Sequence, residues 1–432
     1  MKLRQALILA GGKGTRMREI TGGLIPKPLV RICGKPILER TIENLRMQGI
    51  EEITVSVGYL HEQIVAYFGD GEKYGVKIRY IVEKEPLGSG GALYYLKESL
   101  KEPLLVCPGD VVFDIDIGRM FSWHLSKQAL ITLFVHPNTH PQDSDVILSD
   151  PDGRVTGILR KNEERHFYYA NVVNAGILIL SPETLSYFET LKPVNMEHDF
   201  VSSFIGKGAV YAYRSPEYIR DAGTPERFAQ VEKDILNGTV AAKNLSRRQK
   251  AVFLDRDGTL NVYKGFLTKP DELELMPGAA DAIKKINRSG YLAVIVSNQP
   301  VIARGECTEE GMREIFNKLE TLLGQEGAYL DGIYYCPHHP DSGFPGEIKA
   351  LKIKCGCRKP NTGMLKKAAE DLNLDLARCI MIGDDLRDAQ TAENASIPCV
   401  LIANERLKDT CGTELAPDIL SAVDMALERY GK

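Results

Sequence analysis

Apolar residues along the chain fall into two recurring kinds of stretch. Short continuous runs, at Ala6-Leu7-Ile8-Leu9-Ala10, from Glu52 to Val57 and at Leu104-Leu105-Val106-Cys107, predict strands buried on both faces. Leu38 to Leu45 and Phe228 to Leu236 carry apolar positions at helical spacing and predict amphipathic helices. The same alternation restarts near residue 250. Val252-Phe253-Leu254 predicts a strand, and Gly278 to Ser289 a helix begun after Pro277 and ended at Gly290. Leu292 to Val296 predicts the next strand, 309 to 323 a helix, Gly332 to Tyr335 a strand, and Cys379 to Ile382 a last one. Strands alternating with helices indicate a doubly wound α/β sheet, and the pattern occurs twice. Between the two runs, Asn237-Gly238 and the polar residues up to Lys250 read as a solvated linker. The chain therefore divides into 1–237, a linker at 238–249, and 250–432.

The candidate chemistry sits at strand ends. Leu9-Ala10 runs into Gly11-Gly12-Lys13-Gly14-Thr15-Arg16, whose glycines let backbone N–H groups approach an anion while Arg16 adds a clamp. Lys27 stands between two prolines, and residues 86–92 form a second glycine-rich loop around Gly88, open to a flat base or ribose. Alone, each loop also reads as an ordinary turn. Asp110 ends one strand and Asp221 precedes a later turn; two such aspartates suit a magnesium ion shared between phosphates. In the second half, Asp255-Arg256-Asp257-Gly258-Thr259 ends a strand in two carboxylates, one suited to attack phosphorus and the other to handle a proton. Ser297-Asn298-Gln299 offers a neutral grip on a phosphate, Arg304 and Arg358-Lys359 offer cations, and Asp384-Asp385 with Asp388 closes the set. Cys336-Pro337-His338-His339 and Cys355-Gly356-Cys357 present two close pairs of soft ligands. Cys336, His338, Cys355 and Cys357 are the set expected for a closed, structural Zn²⁺ site.

Charge and composition narrow the function. A net charge of −4 provides no overall basic field for nucleic acid. No apolar run reaches the roughly 18 to 20 residues of a membrane span. The apolar run within Met1 to Gly12 is at the short limit for a signal peptide, and a glycine-rich loop follows it. The nine cysteines are odd in number and scattered outside the one cluster, which favours free thiols and a metal site over a disulfide framework. These features read as a cytoplasmic enzyme of small molecules with no nucleic-acid or membrane partner, and they leave a homo-oligomer open.

Residues 3 to about 236 resemble the sugar-1-phosphate nucleotidyltransferases. The resemblance rests on Gly-Gly-Lys-Gly-Thr-Arg, Pro-Lys-Pro, Leu-Gly-Ser-Gly-Gly-Ala, Gly-Asp and Asp-Ala-Gly-Thr-Pro, found in that family's order. It implies a Rossmann-like fold and nucleotide binding by Leu9, Gly11, Gly12, Gly14, Thr15 and Gly88. It also implies catalysis by Arg16 and Lys27, Mg²⁺ on Asp110 and Asp221, and sugar contacts at Asn174, Gly176, Glu197 and Lys161. The chain departs from the family in having Arg160-Lys161-Asn162 where Glu-Lys-Pro is common, and no proline at Arg18-Glu19.

Residues 250 to 403 resemble the haloacid dehalogenase superfamily, and within it the zinc-containing branch that includes heptose-1,7-bisphosphate and histidinol-phosphate phosphatases. That resemblance implies an aspartyl-phosphate on Asp255, acid/base work by Asp257, and Lys359 as the phosphate cation. It further implies Mg²⁺ on Asp255, Asp384 and the Asp257 carbonyl, with substrate contacts from Ser297, Asn298, Arg304 and Arg358. The branch often has Gln-Ser-Gly where this chain has Gln299-Pro300-Val301-Ile302. Together the two resemblances imply a bifunctional enzyme. One half would remove the C7 phosphate of heptose 1,7-bisphosphate, and the other would transfer a nucleotidyl group, GMP from GTP, to D-glycero-α-D-manno-heptose 1-phosphate. Two alternatives stand beside it: a hexose-1-phosphate nucleotidyltransferase fused to a histidinol-phosphate-type phosphatase, and a phosphatase regulated by an inactive nucleotide-sugar sensor.

Overall fold

The computed structural model describes residues 2–12, 17, 21–408, 410 and 412–431. Gly14, Thr15 and Arg16, named above for the nucleotide, lie outside the described residues. The chain forms two compact units, one of Met1–His136, Ile147–Leu159 and Asn174–Asn244, the other of Pro137–Val146, Arg160–Val173 and Leu245–Lys432.

The main sheet of the first half has nine strands. Its parallel centre is Lys77–Val82, Glu52–Val57, Gln5–Ala10 and Leu104–Pro108 in spatial order. These strands read as unbroken apolar runs because both faces are covered: Leu7, Ile8, Val106 and Cys107 have no exposed surface. Val173–Leu180 then pairs antiparallel with Leu104–Pro108, which makes the sheet mixed. The helix Ile37–Met47 turns Leu38, Ile42 and Leu45 toward the sheet, at the spacing that aligns one helical face. Pro225–Leu236 opens on Thr224, whose side chain accepts the Arg227 N–H, with Pro225 at the first helical position.

The second sheet has six parallel strands in the order Gly332–Cys336, Leu292–Asn298, Ala251–Leu254, Ile380–Gly383, Cys399–Ile402, Glu414–Ala416. Ala251–Leu254 is buried throughout and lies at the point where the order reverses. In such sheets the crevice beyond the carboxyl ends at this point receives the ligand, so Asp255 stands where chemistry is expected. The helix Ala279–Ser289 begins and ends on Gly278 and Gly290, both in the left-handed region that glycine tolerates, and buries Ala279, Ala282, Ile283 and Ile286.

The presumed linker is structured at both ends. Thr239–Ala242 forms a helical turn, and Asn244 Nδ2 donates to Asp114 Oδ1 at 2.7 Å. Beyond it, the Gln249 N–H donates to the Asn373 carbonyl at 2.9 Å, and Asp375 N–H donates back to Gln249 at 2.8 Å. Within the second unit, residue 169 exchanges two hydrogen bonds with helix Glu309–Gln325. The Tyr169 N–H donates to Thr321 Oγ1, and Thr321 Oγ1 donates to the Tyr169 carbonyl, each at 2.9 Å.

Candidate active sites

In the first unit the turn after Gln5–Ala10 passes over Glu83, and a Cβ on Gly11 would stand 3.1 Å from Glu83 Oε1. Glu83 is fixed by Ser56 Oγ, which donates to Oε1, and by the Leu87 N–H, which donates to Oε2 at 3.0 Å. The Leu9 carbonyl accepts the Gly109 N–H at 2.8 Å, joining the strand ends that carry the first glycine loop and Asp110. Gly88 has φ +72°, and a Cβ there would strike the Val194 carbonyl, so only glycine lets this loop lie so close. The Gly90 N–H donates to Val194 at 2.9 Å, and the Met196 N–H donates to Ser89 Oγ at 2.8 Å. The second glycine loop is thereby laced to the segment carrying Glu197. Glu197 Oε1 accepts from Asn174 Nδ2 at 3.3 Å, and Asn174 Oδ1 accepts the Gly176 N–H at 3.2 Å. Asn174, Gly176 and Glu197 thus come together. Lys161 lies in the second unit, where it is exposed and its backbone N–H donates to Asp145 Oδ1 at 2.9 Å.

Asp110 and Asp221 meet because Tyr218–Asp221 pairs antiparallel with Val111–Asp114, with Asp221 opposite Val111. Lys27 Nζ donates to Asp110 Oδ2 at 2.6 Å and would lie 3.4 Å from a Cβ on Gly223. Arg227 Nη1 donates to both Asp221 oxygens, at 3.1 and 2.8 Å. Two carboxylates at neighbouring strand ends, half open to solvent, fit a hard cation that completes its shell with phosphate oxygens.

The second unit gathers its charges more tightly. Lys359 Nζ lies 2.9 Å from Asp255 Oδ1 and 2.6 Å from Asp388 Oδ1. Burial alone would lower the Lys359 pKa, but the carboxylates of Asp255 and Asp388 outweigh it and hold the amine charged. Asn298 fixes that lysine's backbone from both sides: Oδ1 accepts the Lys359 N–H at 2.9 Å and Nδ2 donates to its carbonyl at 3.1 Å. Asp388 sits in the first turn of Leu386–Ala395, where its Oδ2 accepts the N–H groups of Asp384 and Asp385. Burial, then Asp255 and Asp388, push the Asp384 carboxyl up to about 7 against the pull of Arg406. Asp255, Asp384 and Asp388 bring ligand oxygens within 4.8 Å of one another. Asp255 Oδ1 is buried, with Lys359 Nζ as its neighbour at 2.9 Å. Three buried or half-buried carboxylates gathered this closely fit a divalent cation with oxygen ligands.

Asp257 is held for a different task. Its carboxylate accepts from Arg256 Nε and Nη2 at 3.1 and 2.8 Å, from Gln299 Nε2 at 2.9 Å and from Asn261 Nδ2 at 3.2 Å. Arg256 is wholly buried against Phe316. A carboxylate fixed this way two residues from Asp255 has the geometry of an acid/base group. Ser297, also buried, accepts from Gln299 Nε2 at 3.0 Å. Arg304 is stacked between Phe266 and Phe344, at 4.5 and 4.1 Å, and Arg358 Nη1 donates to the His338 carbonyl at 3.2 Å.

The soft-ligand cluster forms as a compact set. The sulfurs of Cys336, Cys355 and Cys357 are 3.2 to 3.5 Å apart, and His338 Nδ1 is 3.3 Å from Cys357 and 3.6 Å from Cys336. His339 turns away, with Nδ1 near the Asp341 carbonyl and its ring against Phe344. Three sulfurs and one imidazole at these separations fit a tetrahedral metal with soft ligands.

Comparison with known proteins follows the same division. A family profile described as Nucleotidyl transferase matches residues 5–238, more than half of the chain, and one described as HAD-hydrolase-like matches 356–421. A protein named D-glycero-beta-D-manno-heptose-1,7-bisphosphate 7-phosphatase, from Haemophilus ducreyi, is 39% identical over 180 residues, 41% of this chain and 96% of its own length. Its namesake from Escherichia coli K12 is 36% identical over 183 residues, 42% of this chain and 91% of its own. The chain belongs to the nucleotidyl transferase family and, in its second half, to this phosphatase family. Among solved structures, HddC from Yersinia pseudotuberculosis aligns at 28% identity and TM-score 0.48, covering 54% of this chain and all of its own. D,D-heptose 1,7-bisphosphate phosphatase from B. bronchiseptica, complexed with magnesium and phosphate, aligns at 31% identity and TM-score 0.36, covering 42% and 98%.

In the phosphatase half the structure gives several residues roles that sequence reading missed. Both amide atoms of Asn298 serve the Lys359 backbone, so it positions a cation where a substrate contact was expected. The third carboxylate beside Asp255 and Asp384 is Asp388, while the Asp257 side chain faces Arg256 and Gln299. The sequence signal for Asp388 was its place four residues after Asp384 at a helix start. Arg406 pairs with Asp384 from a loop 22 residues later and had no such signal.

Proposed function

We propose that the chain is a bifunctional enzyme of nucleotide-activated heptose synthesis. The phosphatase half removes the C7 phosphate of heptose 1,7-bisphosphate, and the transferase half joins the resulting heptose 1-phosphate to a nucleotidyl group, GMP from GTP. One observation carries this reading. A nucleotidyl transferase shares its chain with a relative of phosphatases named for releasing the 7-phosphate of a 1,7-bisphosphate, whose organic product is a sugar 1-phosphate. Such a product is what a sugar nucleotidyltransferase consumes.

In the phosphatase half an Asp255 oxygen attacks phosphorus as the bond to O7 breaks, and Asp257 supplies the proton to the departing oxygen. Asp257 then takes a proton from the water that attacks the aspartyl-phosphate, releasing phosphate and restoring Asp255. Lys359 neutralises the phosphoryl oxygens through both steps, kept in place by Asn298 and Asp388. Mg²⁺ on Asp255 and Asp384 would screen the phosphoryl charge from the attacking carboxylate. Arg304 and Arg358 receive the second phosphate. Zn²⁺ on Cys336, His338, Cys355 and Cys357 would brace the loop that carries Phe344 against Arg304.

In the transferase half the sugar-phosphate oxygen attacks the α-phosphorus and pyrophosphate leaves. The nucleophile is already an anion, so the residues supply position and charge: the Gly11–Arg16 loop and Lys27 for the triphosphate, Asp110 and Asp221 for Mg²⁺, and Asn174, Gly176 and Glu197 for the sugar. Free thiols and these substrates suit the cytoplasm.

The test is incubation with each anomer of heptose 1,7-bisphosphate and each NTP in turn, reading phosphate and pyrophosphate separately. The reading expects phosphate release without NTP, and pyrophosphate release with GTP once phosphate has been freed. No pyrophosphate with any NTP, or faster phosphate release from histidinol phosphate, would overturn it.

A further inference from the structure

Arg406 stands beside the phosphatase carboxylates with no part in the chemistry above. Its guanidinium pairs with Asp384 Oδ2 and lies over the Tyr263 ring, 3.4 Å from the centroid. The loop that carries it is tied to the same aspartate. The Arg406 N–H donates to Asn404 Oδ1 at 3.0 Å, while Asn404 Nδ2 donates to the Asp384 carbonyl at 2.9 Å and to Ile402 at 3.0 Å. The turn after the nucleophile closes on the pair from the other side. Gly258 has φ +88°, and a Cβ there would meet the Asp384 carboxylate and come within 2.8 Å of Arg406 Nη2. Arg406 is 39% exposed along its side chain, whereas Asp384 is 2% exposed, so the arginine can leave for solvent while the aspartate cannot.

We propose that Arg406 is a positioning residue that competes with the divalent cation for Asp384, with Tyr263 holding the guanidinium ready when it is displaced. The proposal rests on the reading of Asp255 and Asp384 as cation ligands. Two cations sharing one carboxylate in a poorly solvated site repel each other, so the arginine keeps the metal weakly and reversibly held. An Arg406 that merely braced Asp384 would have the opposite effect, since its loss would loosen a ligand and weaken the metal.

The test is calorimetric titration of Mg²⁺ alone into the full chain carrying Asp110→Asn, which silences the transferase cation site. Arg406→Gln should tighten Mg²⁺ binding on the order of tenfold. Arg406→Lys, which keeps the charge, should stay within about twofold of the parent. Unchanged or weaker binding in Arg406→Gln overturns the proposal. Asp384→Asn is the control for the reading beneath it: if that variant binds Mg²⁺ as the parent does, the cation assignment itself fails.

Discussion

Lys359 and Lys27 each pair with an aspartate just beyond a strand end, but in different surroundings. Lys359 is 3% exposed along its side chain, and its partners Asp255 and Asp388 are 14% and 1% exposed. Lys27 is nearly as buried, at 8%, yet its partner Asp110 is 42% exposed, and Asp221, paired with Arg227, is 38% exposed. The phosphatase site is wired side chain to side chain, with Asp257 alone accepting from three neighbours. The glycine loops of the transferase site are laced through backbone groups: Gly88 lies against the Val194 carbonyl, the Gly109 N–H donates to Leu9, and the Met196 N–H donates to Ser89 Oγ. The proposed chemistry accounts for the difference. A carboxylate that must attack a phosphate anion needs its competing charges fixed in a poorly solvated place. An enzyme whose nucleophile arrives as a substrate anion needs loops shaped to phosphates, and these can stay open to water.

The strongest way to break this contrast is Asp255→Asn. It should cut phosphate release by about 10⁴-fold while leaving pyrophosphate release from heptose 1-phosphate and GTP unchanged. Phosphate release surviving the substitution would remove the nucleophile from the argument. Asp110→Asn probes the more solvated site. Loss of one cation ligand and of the Lys27 partner should lower pyrophosphate release by about 10²- to 10³-fold, measured with phosphate release as the internal control. An effect as large as that of Asp255→Asn would show the open site to be as tightly determined as the buried one.

Cys355→Ser removes one of the soft ligands, and a strong chelator would strip a metal from the proposed site. The phosphatase half should then melt about 5 to 10 °C lower, with the transferase half's transition unmoved. The smallest effect concerns a buried group away from either site. His124 accepts or donates with Thr132 and Ser181, and burial lowers its pKa to about 4. The unfolded chain binds this proton below about 6.5, so the folded unit keeps the stability above that pH and loses it as pH falls toward 4. Chemical denaturation at pH 5 should show the transferase half weaker by about 2 kcal/mol than at pH 7, with His124→Asn much less sensitive. A pH-independent transition in the parent would contradict the burial argument.

The predicted elements match the observed ones where apolar periodicity was strong. Leu38 to Leu45 lies within Ile37–Met47, Glu52 to Val57 is a strand over the same residues, and Gly278 to Ser289 differs from Ala279–Ser289 by one cap residue. The antiparallel run of Val173–Leu180 was not legible, because an apolar run records burial and carries no strand direction. Segments 137–146 and 160–173 were read as part of the first domain by position, whereas contacts place them in the second unit. Thr321, the residue that binds the Tyr169 backbone, sits on a helix some 150 residues later, a separation no local pattern reports.

Asp255, Asp257, Lys359 and Asp384 stand out in the bare chain because each ends an apolar run or abuts a turn, and such positions are few. The residue types there already name the chemistry of attack, proton transfer and charge neutralisation. What those side chains touch is another matter. That Asn298 serves a lysine backbone, that Asp388 completes the carboxylate group, and that Arg406 shares Asp384 all depend on distances of a few ångströms across strands and loops far apart in sequence. Periodicity reports which faces are buried; which charges become neighbours is settled only when the sheet brings its strand ends together.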